Sequence, residues 1–261
     1  RTNRLIQLFK VTMSEQKIAL VTGGAGGIGT AICQNLADQG MRVFANYYPA
    51  EEEQAKAWQA EQKEAGYDID IIGADVSSFD ACAEMVASIV EQAGPVDVLV
   101  NGAGITRDAT MKNMDQDSWE AVINTNLNSV FNVTKQVFTG MAERGFGRVI
   151  NISSVNGSRG QFGQANYAAA KAGMHGFTMS LAPEGARKGV TINTISPGYI
   201  STAMTQAIPE EVLAKIVAGI PMGKMGEPED IASMIGFLAS PAAGYVTGAN
   251  IPVNGGLFFS F

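Results

Sequence analysis

Short apolar, β-branched runs recur along the chain and alternate with longer stretches in which apolar residues return every three or four positions. The short runs predict strands at residues 18–22, 43–46, 69–73, 96–100, 148–152, 191–195 and 249–253. The longer stretches, among them residues 31–39, 79–92 and 119–141, have helical spacing. Strand and helix in strict alternation imply an α/β fold: one doubly wound parallel sheet of about seven strands, with helices on both faces. A ligand of such a sheet is expected at the carboxyl ends of its strands.

No internal repeat, low-complexity run or linker divides the pattern, so residues 13–261 read as one domain. The opening RTNRLIQLFKVT is basic, lacks acid, and holds an apolar run too short for a secretory core. Residues 1–12 are therefore expected to be an extension ahead of Met13, outside the fold.

Composition narrows the function. Apolar residues make up 46% of the 261 and charged residues 16%, which excludes a disordered chain. A net charge of −7 argues against sequence-independent nucleic-acid binding, which relies on Lys and Arg at phosphates. No apolar run approaches the ~18 residues of a membrane span, so no membrane partner is expected. Two cysteines, Cys33 and Cys82, are too few for a metal cluster; they read as small buried thiols of a reducing cytoplasm, and no metal is expected.

The thirty glycines fall in clusters, one of which follows the first strand as TGGAGGIG, from Thr22 to Gly29, and opens a helix. Gly24, Gly26 and Gly29 fit G-x-G-x-x-G, while Gly23, Gly27 and Gly29 fit G-x-x-x-G-x-G. Either supplies a tight turn and a helix N-terminus aimed at a pyrophosphate, as in Rossmann-type sheets. An acid normally follows at the end of the second strand to grip the ribose 2′-OH. Here that strand ends Asn46-Tyr47-Tyr48, and Glu51, Glu52 and Glu53 come before the first cation, Lys56.

The segment from Ile152 to Lys171, ISSVNGSRGQFGQANYAAAK, holds hydroxyls and amides but no carboxylate and no histidine. Tyr167 and Lys171 are four residues apart and share one helix face. An ammonium near the phenol is expected to lower its pKa, so that Tyr167 exchanges a proton near neutrality. Ser154, at a strand end, is placed to hold the same substrate oxygen. The single histidine, His175, lies four residues past Lys171 and reads as structural.

These motifs together resemble the short-chain dehydrogenase/reductase family over roughly residues 17–258. The residues that carry the likeness are Thr22-Gly23-x-x-x-Gly27-x-Gly29, Asn101-x-Ala103-Gly104, Asn126, Ser154 thirteen residues before Tyr167, Lys171, and Pro197-Gly198. The resemblance implies Tyr167 as acid/base, Ser154 orienting the carbonyl, Lys171 holding the nicotinamide ribose, and Asn126 supporting a proton-relaying water. It places Gly23, Gly26, Gly27, Ile28, Gly29, Tyr47, Asn101, Gly102, Ala103 and Gly104 along the cofactor. Asp75 and Val76 would meet the adenine, and Pro197, Gly198, Ile200 and Thr202 the nicotinamide side. NADPH is the expected cofactor, with modest discrimination against NADH because no Arg follows Tyr47 closely.

Within that family the likeness is greatest to the reductases of acetoacetyl-CoA in polyhydroxyalkanoate synthesis, on AGITRD (103–108), NISSVNG (151–157), GQFGQ (160–164), GFT (176–178) and SPGYI (196–200). Asp108, Gln161, Phe162, Gln164 and Tyr199, with Ser154, are the expected substrate contacts; Met111, Met114, Met204, Met222 and Met225 flank the pocket. The alternatives are a 3-oxoacyl-carrier-protein reductase, for which Arg144, Arg148, Arg159, Arg187 and Lys188 would supply a basic rim, and a nucleotide-sensing protein without turnover. Residues 119–141 and 167–188 are apolar on more than one face, and the resemblance implies a cytoplasmic homotetramer paired through them. Two positions depart from the family: Gly102 stands where a second Asn is usual, and Pro183 interrupts the helix that carries Tyr167. A bend or loosening near Met179 is expected from the latter.

Overall fold

Val, Ile and Leu dominate the strands because the sheet is buried on both faces, as a parallel sheet requires. The computed structural model describes residues 16–202, 205 and 210–259, and the extension expected at residues 1–12 lies outside them. The strands are β1 (Ile18–Thr22), β2 (Arg42–Tyr47), β3 (Asp70–Gly73), β4 (Val98–Asn101), β5 (Gly147–Ile152), β6 (Val190–Pro197) and β7 (Asn250–Val253). All seven pair in parallel in the order β3-β2-β1-β4-β5-β6-β7. The order reverses between β1 and β4, and a crevice for a ligand opens at that switch point.

The helices are α1 (Gly27–Asp38), α2 (Glu52–Glu64), α3 (Phe79–Ala93), α4 (Gln116–Ile123), α5 (Ser129–Arg144), α6 (Val155–Arg159), α7 (Ala165–Ala186), α8 (Glu210–Ala218) and α9 (Pro228–Ala239). Alternate strand residues feed opposite cores. Ala19 and Val21 of β1 meet Ile32 and Leu36 of α1 and Ile235 and Leu238 of α9. Ile18 and Leu20 meet Cys82 and Ile89 of α3 and Val133 and Val137 of α5.

A file of polar side chains threads the buried middle of this apolar sheet. Asn101 Nδ2 on β4 donates to Thr134 Oγ1 (3.2 Å) on α5 and to Asn151 Oδ1 (2.8 Å) on β5. Asn151 Nδ2 donates to Thr178 Oγ1 (2.9 Å) on α7, which bonds Thr194 Oγ1 (2.7 Å) on β6. No buried side-chain nitrogen or oxygen among the described residues lacks a partner, so the file costs little while locking α7 to the central strands.

One expectation changes. The helix expected over residues 119–141 is divided: between α4 and α5, Asn124–Asn128 widens into a turn in which the Ser129 N–H reaches back five residues to the Asn124 carbonyl. Ser129 Oγ satisfies the Thr125 carbonyl (2.6 Å) that the wide turn leaves over. Pro183, in contrast, does not break its helix: α7 is continuous from Ala165 to Ala186, with Pro183 exposed in its last turn. Pro183 has no N–H for the Met179 carbonyl, so Pro183→Gln adds one helix hydrogen bond. Set against the lost stiffness of the unfolded chain, the gain is about 1–2 kcal/mol, or roughly 2–8 °C in Tm. Thermal unfolding of both proteins tests this, and an unchanged or lower Tm would refute it.

Candidate active site

The turn after β1 is shaped by how closely backbone passes backbone. Gly23 has φ 66°, open to glycine at little cost. A Cβ on Gly24 would sit 2.7 Å from that of Ala45 on β2, and one on Gly29 would run into the Gly23 carbonyl. Gly26 caps α1 with no side-chain bond, no acid occupies the first turn, and Gly26 and Gly27 are exposed. The free N–H groups and the positive end of the helix dipole therefore face solvent together, which fits a pyrophosphate. Ile28, the second residue of α1, is partly buried and packs the turn against the core. Thr202 lies against the turn, its Cγ2 3.2 Å from where a Gly27 Cβ would be. The sequence pattern alone does not single out Gly24, whereas its closeness to Ala45 shows that the turn needs it.

At the end of β2, Asn46 turns its amide to the Ile72 (3.3 Å) and Ala74 (3.1 Å) carbonyls of the β3 side, and the Tyr47 ring lies across Gly73. Asp75 Oδ1 accepts from the Ser77 N–H (2.9 Å) and hydroxyl (2.7 Å), while Asn132 of α5 holds the buried Val76 by its carbonyl (3.0 Å). Lys56 is held by Glu52 (2.9 Å) and Glu53 (3.2 Å).

The loop after β4 closes the crevice. Thr22 Oγ1 accepts the Gly102 (3.0 Å) and Ala103 (3.1 Å) N–H groups, joining the ends of β1 and β4. A side chain at Gly102 would press within 2.8 Å of the Thr22 carbonyl, so the departure from the family's second Asn makes a tighter turn rather than a gap. The Asn101 amide faces inward, into the polar file, rather than the crevice. Beyond it, Asn126 in the wide turn grips Ile105 twice: Oδ1 accepts from the N–H (2.8 Å) and Nδ2 donates to the carbonyl (2.9 Å). The bare side of Gly104 faces both Asn126 Oδ1 and Lys171 Nζ, at 3.4 and 3.5 Å from an added Cβ.

Ser154, Tyr167 and Lys171 converge where β5 ends. Ser154 caps α6, its Oγ accepting from the Asn156 N–H (3.1 Å), and its hydroxyl lies beside the Tyr167 phenol. Lys171 is 4% exposed and donates through Nζ to the Ile152 carbonyl (2.7 Å). Its Nζ stands 5.6 Å from the centre of the Tyr167 ring. Close approach of α6 to α7 is what allows this, for a Cβ on Gly157 would lie 2.9 Å from the Lys171 carbonyl carbon. The wholly buried Asn166 steadies the start of α7. It accepts the Tyr167 N–H (2.8 Å) and donates to the Arg107 (3.0 Å) and Ser118 (3.2 Å) carbonyls. Neither Gly157 nor Asn166 stood out in the sequence as part of the site; each is a small residue whose importance lies in its neighbours.

Electrostatics correct one expectation. The Tyr167 phenol is pushed up by burial, drawn down by the neighbouring Ser154 hydroxyl, and raised again by the Asp108 carboxylate. Burial, not the ammonium, dominates the protein alone, and the phenol stays protonated. Burial also brings the Lys171 ammonium down to about 8.

On the substrate side, Gln164 bridges two segments: its Nε2 donates to Asp108 Oδ2 (2.8 Å) and its Oε1 accepts from Asn156 Nδ2 (3.0 Å). Arg159 reaches Asn156 Oδ1 (3.2 Å) and Gln161 Oε1 (3.4 Å). Phe162 is 88% exposed on the same loop, and Tyr199 is half-buried after Pro197 and Gly198. Ile200 is buried, and Met111 and Met222 are exposed, whereas Met204 lies outside the described residues. The expected basic rim does not form. Arg148 is 4% exposed, bonded to the Ser240, Gly147 and Gly189 carbonyls, and Arg144 faces Asp97 at 3.6 Å. Both sit at the amino ends of the strands, as do Arg187 and Lys188 just ahead of β6, so of the five cations only Arg159 borders the site.

A phenol backed by a buried ammonium, at the foot of a dinucleotide cradle, is how a short-chain dehydrogenase moves a proton beside a hydride. The chain belongs to that family of nicotinamide-dependent oxidoreductases: the family described as short chain dehydrogenase matches residues 17–213. It is 65% identical over 242 residues to an acetoacetyl-CoA reductase of Allochromatium vinosum, covering 93% of this chain and 98% of the relative. An acetoacetyl-CoA reductase of Cupriavidus necator is 54% identical with the same coverage. A 3-oxoacyl-[acyl-carrier-protein] reductase of Vibrio harveyi is 44% identical over 244 residues, 94% of this chain and 98% of the relative.

Lys171 makes stability depend on pH in a set direction. Its ammonium titrates at about 8 when folded and near 10.5 when unfolded, so below about 8 both states are charged and the burial penalty is in full force. Between those values the unfolded chain binds the extra proton, and stability rises with pH by up to about 3 kcal/mol. Urea unfolding of the wild type and Lys171→Met from about pH 7 to about pH 10 should show the wild type gaining stability relative to the variant as pH rises. A flat difference would refute the buried, depressed ammonium.

Proposed function

We propose that the chain reduces acetoacetyl-CoA to (R)-3-hydroxybutyryl-CoA, in the cytoplasm, as the reductive step of polyhydroxybutyrate synthesis. The observation that carries the reading is the Ser154–Tyr167–Lys171 convergence, in a chain this similar to acetoacetyl-CoA reductases. The Ser154 and Tyr167 hydroxyls would both donate to the 3-oxo oxygen. The α1 N-terminus would hold the pyrophosphate of a reduced nicotinamide cofactor and Lys171 its ribose, and that cofactor would supply a hydride to the 3-oxo carbon. Tyr167 passes its phenolic proton to the same oxygen, so a carbonyl becomes a hydroxyl and the phenol a phenolate. The Lys171 ammonium stabilises that phenolate until a proton from water restores it. A phenol kept protonated by burial is loaded for this direction of reaction.

Gln161, Phe162, Gln164 and Tyr199, with Asp108 behind Gln164, would take the acyl and pantetheine portions. A carrier protein is acidic and docks on a basic surface, and with Arg148 buried and Arg144 facing Asp97 the lack of such a rim favours the CoA thioester. For the cofactor we propose NADPH with modest discrimination against NADH. β2 ends without an acid, yet Lys56 is tied to Glu52 and Glu53, so a 2′-phosphate lacks a charge-assisted partner worth about 1.5–3 kcal/mol.

One set of assays tests these points. Tyr167→Phe should keep nicotinamide affinity and lose most turnover, at least about a hundredfold. Substantial turnover by that variant would end the acid/base assignment. Across acyl carriers and cofactors, kcat/KM should favour acetoacetyl-CoA over the carrier-protein thioester, with NADPH and NADH within about a hundredfold of each other. A carrier-protein preference would replace the substrate, and an NADPH preference above about a thousandfold would require a cation at the 2′ position.

The proposal extends to a homotetramer. Phe79 of α3 and Phe131 of α5 stack at 6.0 Å on the surface, 42% and 50% exposed, where a second copy would cover them. Light scattering at micromolar concentration should give four times the chain mass of 27.4 kDa, and a monomer would refute it.

A further inference from the structure

His175 lies on α7 one turn beyond Lys171 and two beyond Tyr167, and the proton transfer above makes no use of it. Its Nε2 is 2.9 Å from Ser153 Oγ and 3.3 Å from Ser196 Oγ. Both hydroxyl hydrogens are committed elsewhere: Ser153 Oγ donates to the Lys171 main-chain carbonyl (2.8 Å) and Ser196 Oγ to Asn250 Oδ1 (2.7 Å). The two oxygens are therefore acceptors toward the imidazole, and Nε2 carries the hydrogen. Burial holds the ring below its ordinary pKa, which keeps this single-donor, neutral form.

These bonds gather four elements around the catalytic pair. Ser153 stands between Ile152, whose carbonyl holds Lys171 Nζ, and Ser154. Ser196 precedes Pro197 and Gly198 at the end of β6, and Asn250 opens β7. One N–H thus ties α7, which carries Tyr167 and Lys171, to the ends of β5 and β6, and through Ser196 to β7. The chain of bonds does not run to the Lys171 ammonium. It ends on the Lys171 carbonyl, which has no proton to pass on, so it is not a relay.

We infer that His175 is a positioning residue: it sets the spacing between the Tyr167–Lys171 face of α7 and the Ile152–Ser154 end of β5, and so the meeting of Ser154 and Tyr167 on the substrate oxygen. The inference rests on Tyr167 as proton donor. It does not depend on which 3-oxoacyl thioester is the substrate, and the test uses whichever one the wild type turns over.

Three variants test it. His175→Leu keeps bulk without a donor, His175→Gln offers an amide donor at similar reach, and Ser153→Ala removes the middle of the chain. His175→Leu should lower kcat about tenfold while the KM for the thioester and the Kd for NADH stay within about twofold. The deuterium isotope effect with C4-deuterated reduced nicotinamide should rise, because misplacement slows the chemical step. His175→Gln should recover most of the rate. Ser153→Ala should reproduce the loss, and the Ser153→Ala/His175→Leu double variant should be no slower than either alone. Wild-type kcat in His175→Leu, additive losses in the double variant, or equal loss in Leu and Gln would each overturn the inference. Should His175→Leu not fold, Ser153→Ala with its isotope effect decides the matter alone.

Discussion

A cation taken out of water with no carboxylate to meet it is the constraint around which this molecule is arranged. Lys171 is almost wholly buried, and among the described residues its ammonium is held by a main-chain oxygen rather than an acid. Leaving such a group buried is expensive unless its surroundings are fixed in advance. Much of the site can be understood as that fixing. α6 approaches α7 closely at Gly157, Gly104 leaves its side open, Asn126 is locked by two bonds to Ile105, and β5 delivers the Ile152 carbonyl. In the proposed reaction the lack of an acid partner would serve the chemistry too, since a carboxylate there would compete with the phenolate for the ammonium.

Support for that arrangement passes through polar groups embedded in an apolar body. The Thr134–Asn101–Asn151–Thr178–Thr194 file and the Ser153–His175–Ser196–Asn250 cluster both clamp α7 to the strands, one in mid-sheet and one at the strand ends. Apolar packing alone would let a helix slide by fractions of an ångström at little cost. Directional bonds remove that freedom where catalysis is most sensitive to it.

What could be read from the chain beforehand were features with a local cause. Alternation of apolar runs marked the strands, glycines marked the turn at Gly23, and a spacing of four put Tyr167 and Lys171 on one face. What escaped depended on partners far away in sequence. Residues 119–141 look like one helix until Asn126 is needed at Ile105 and the backbone widens. Arg148 reads as a surface cation because its charge is visible and the three carbonyls that accept from it are not. The use of the Asn101 side-chain amide is likewise hidden, because its partner Asn151 lies on the neighbouring strand. The direction of the Tyr167 shift also depends on burial, which no spacing reveals.

The contact between Gly24 and Ala45 bears on how this sequence can change over time. With so little room between them, a larger residue at either position displaces the phosphate turn, while Ala45 can shrink only to glycine. A bulkier side chain could enter one position only after the backbone of the other had already moved. The two positions, twenty-one residues apart on different elements, therefore drift as one unit. The turn's geometry is protected less by the number of its glycines than by the Ala45 backbone, which still crowds Gly24 after Ala45 has lost its side chain.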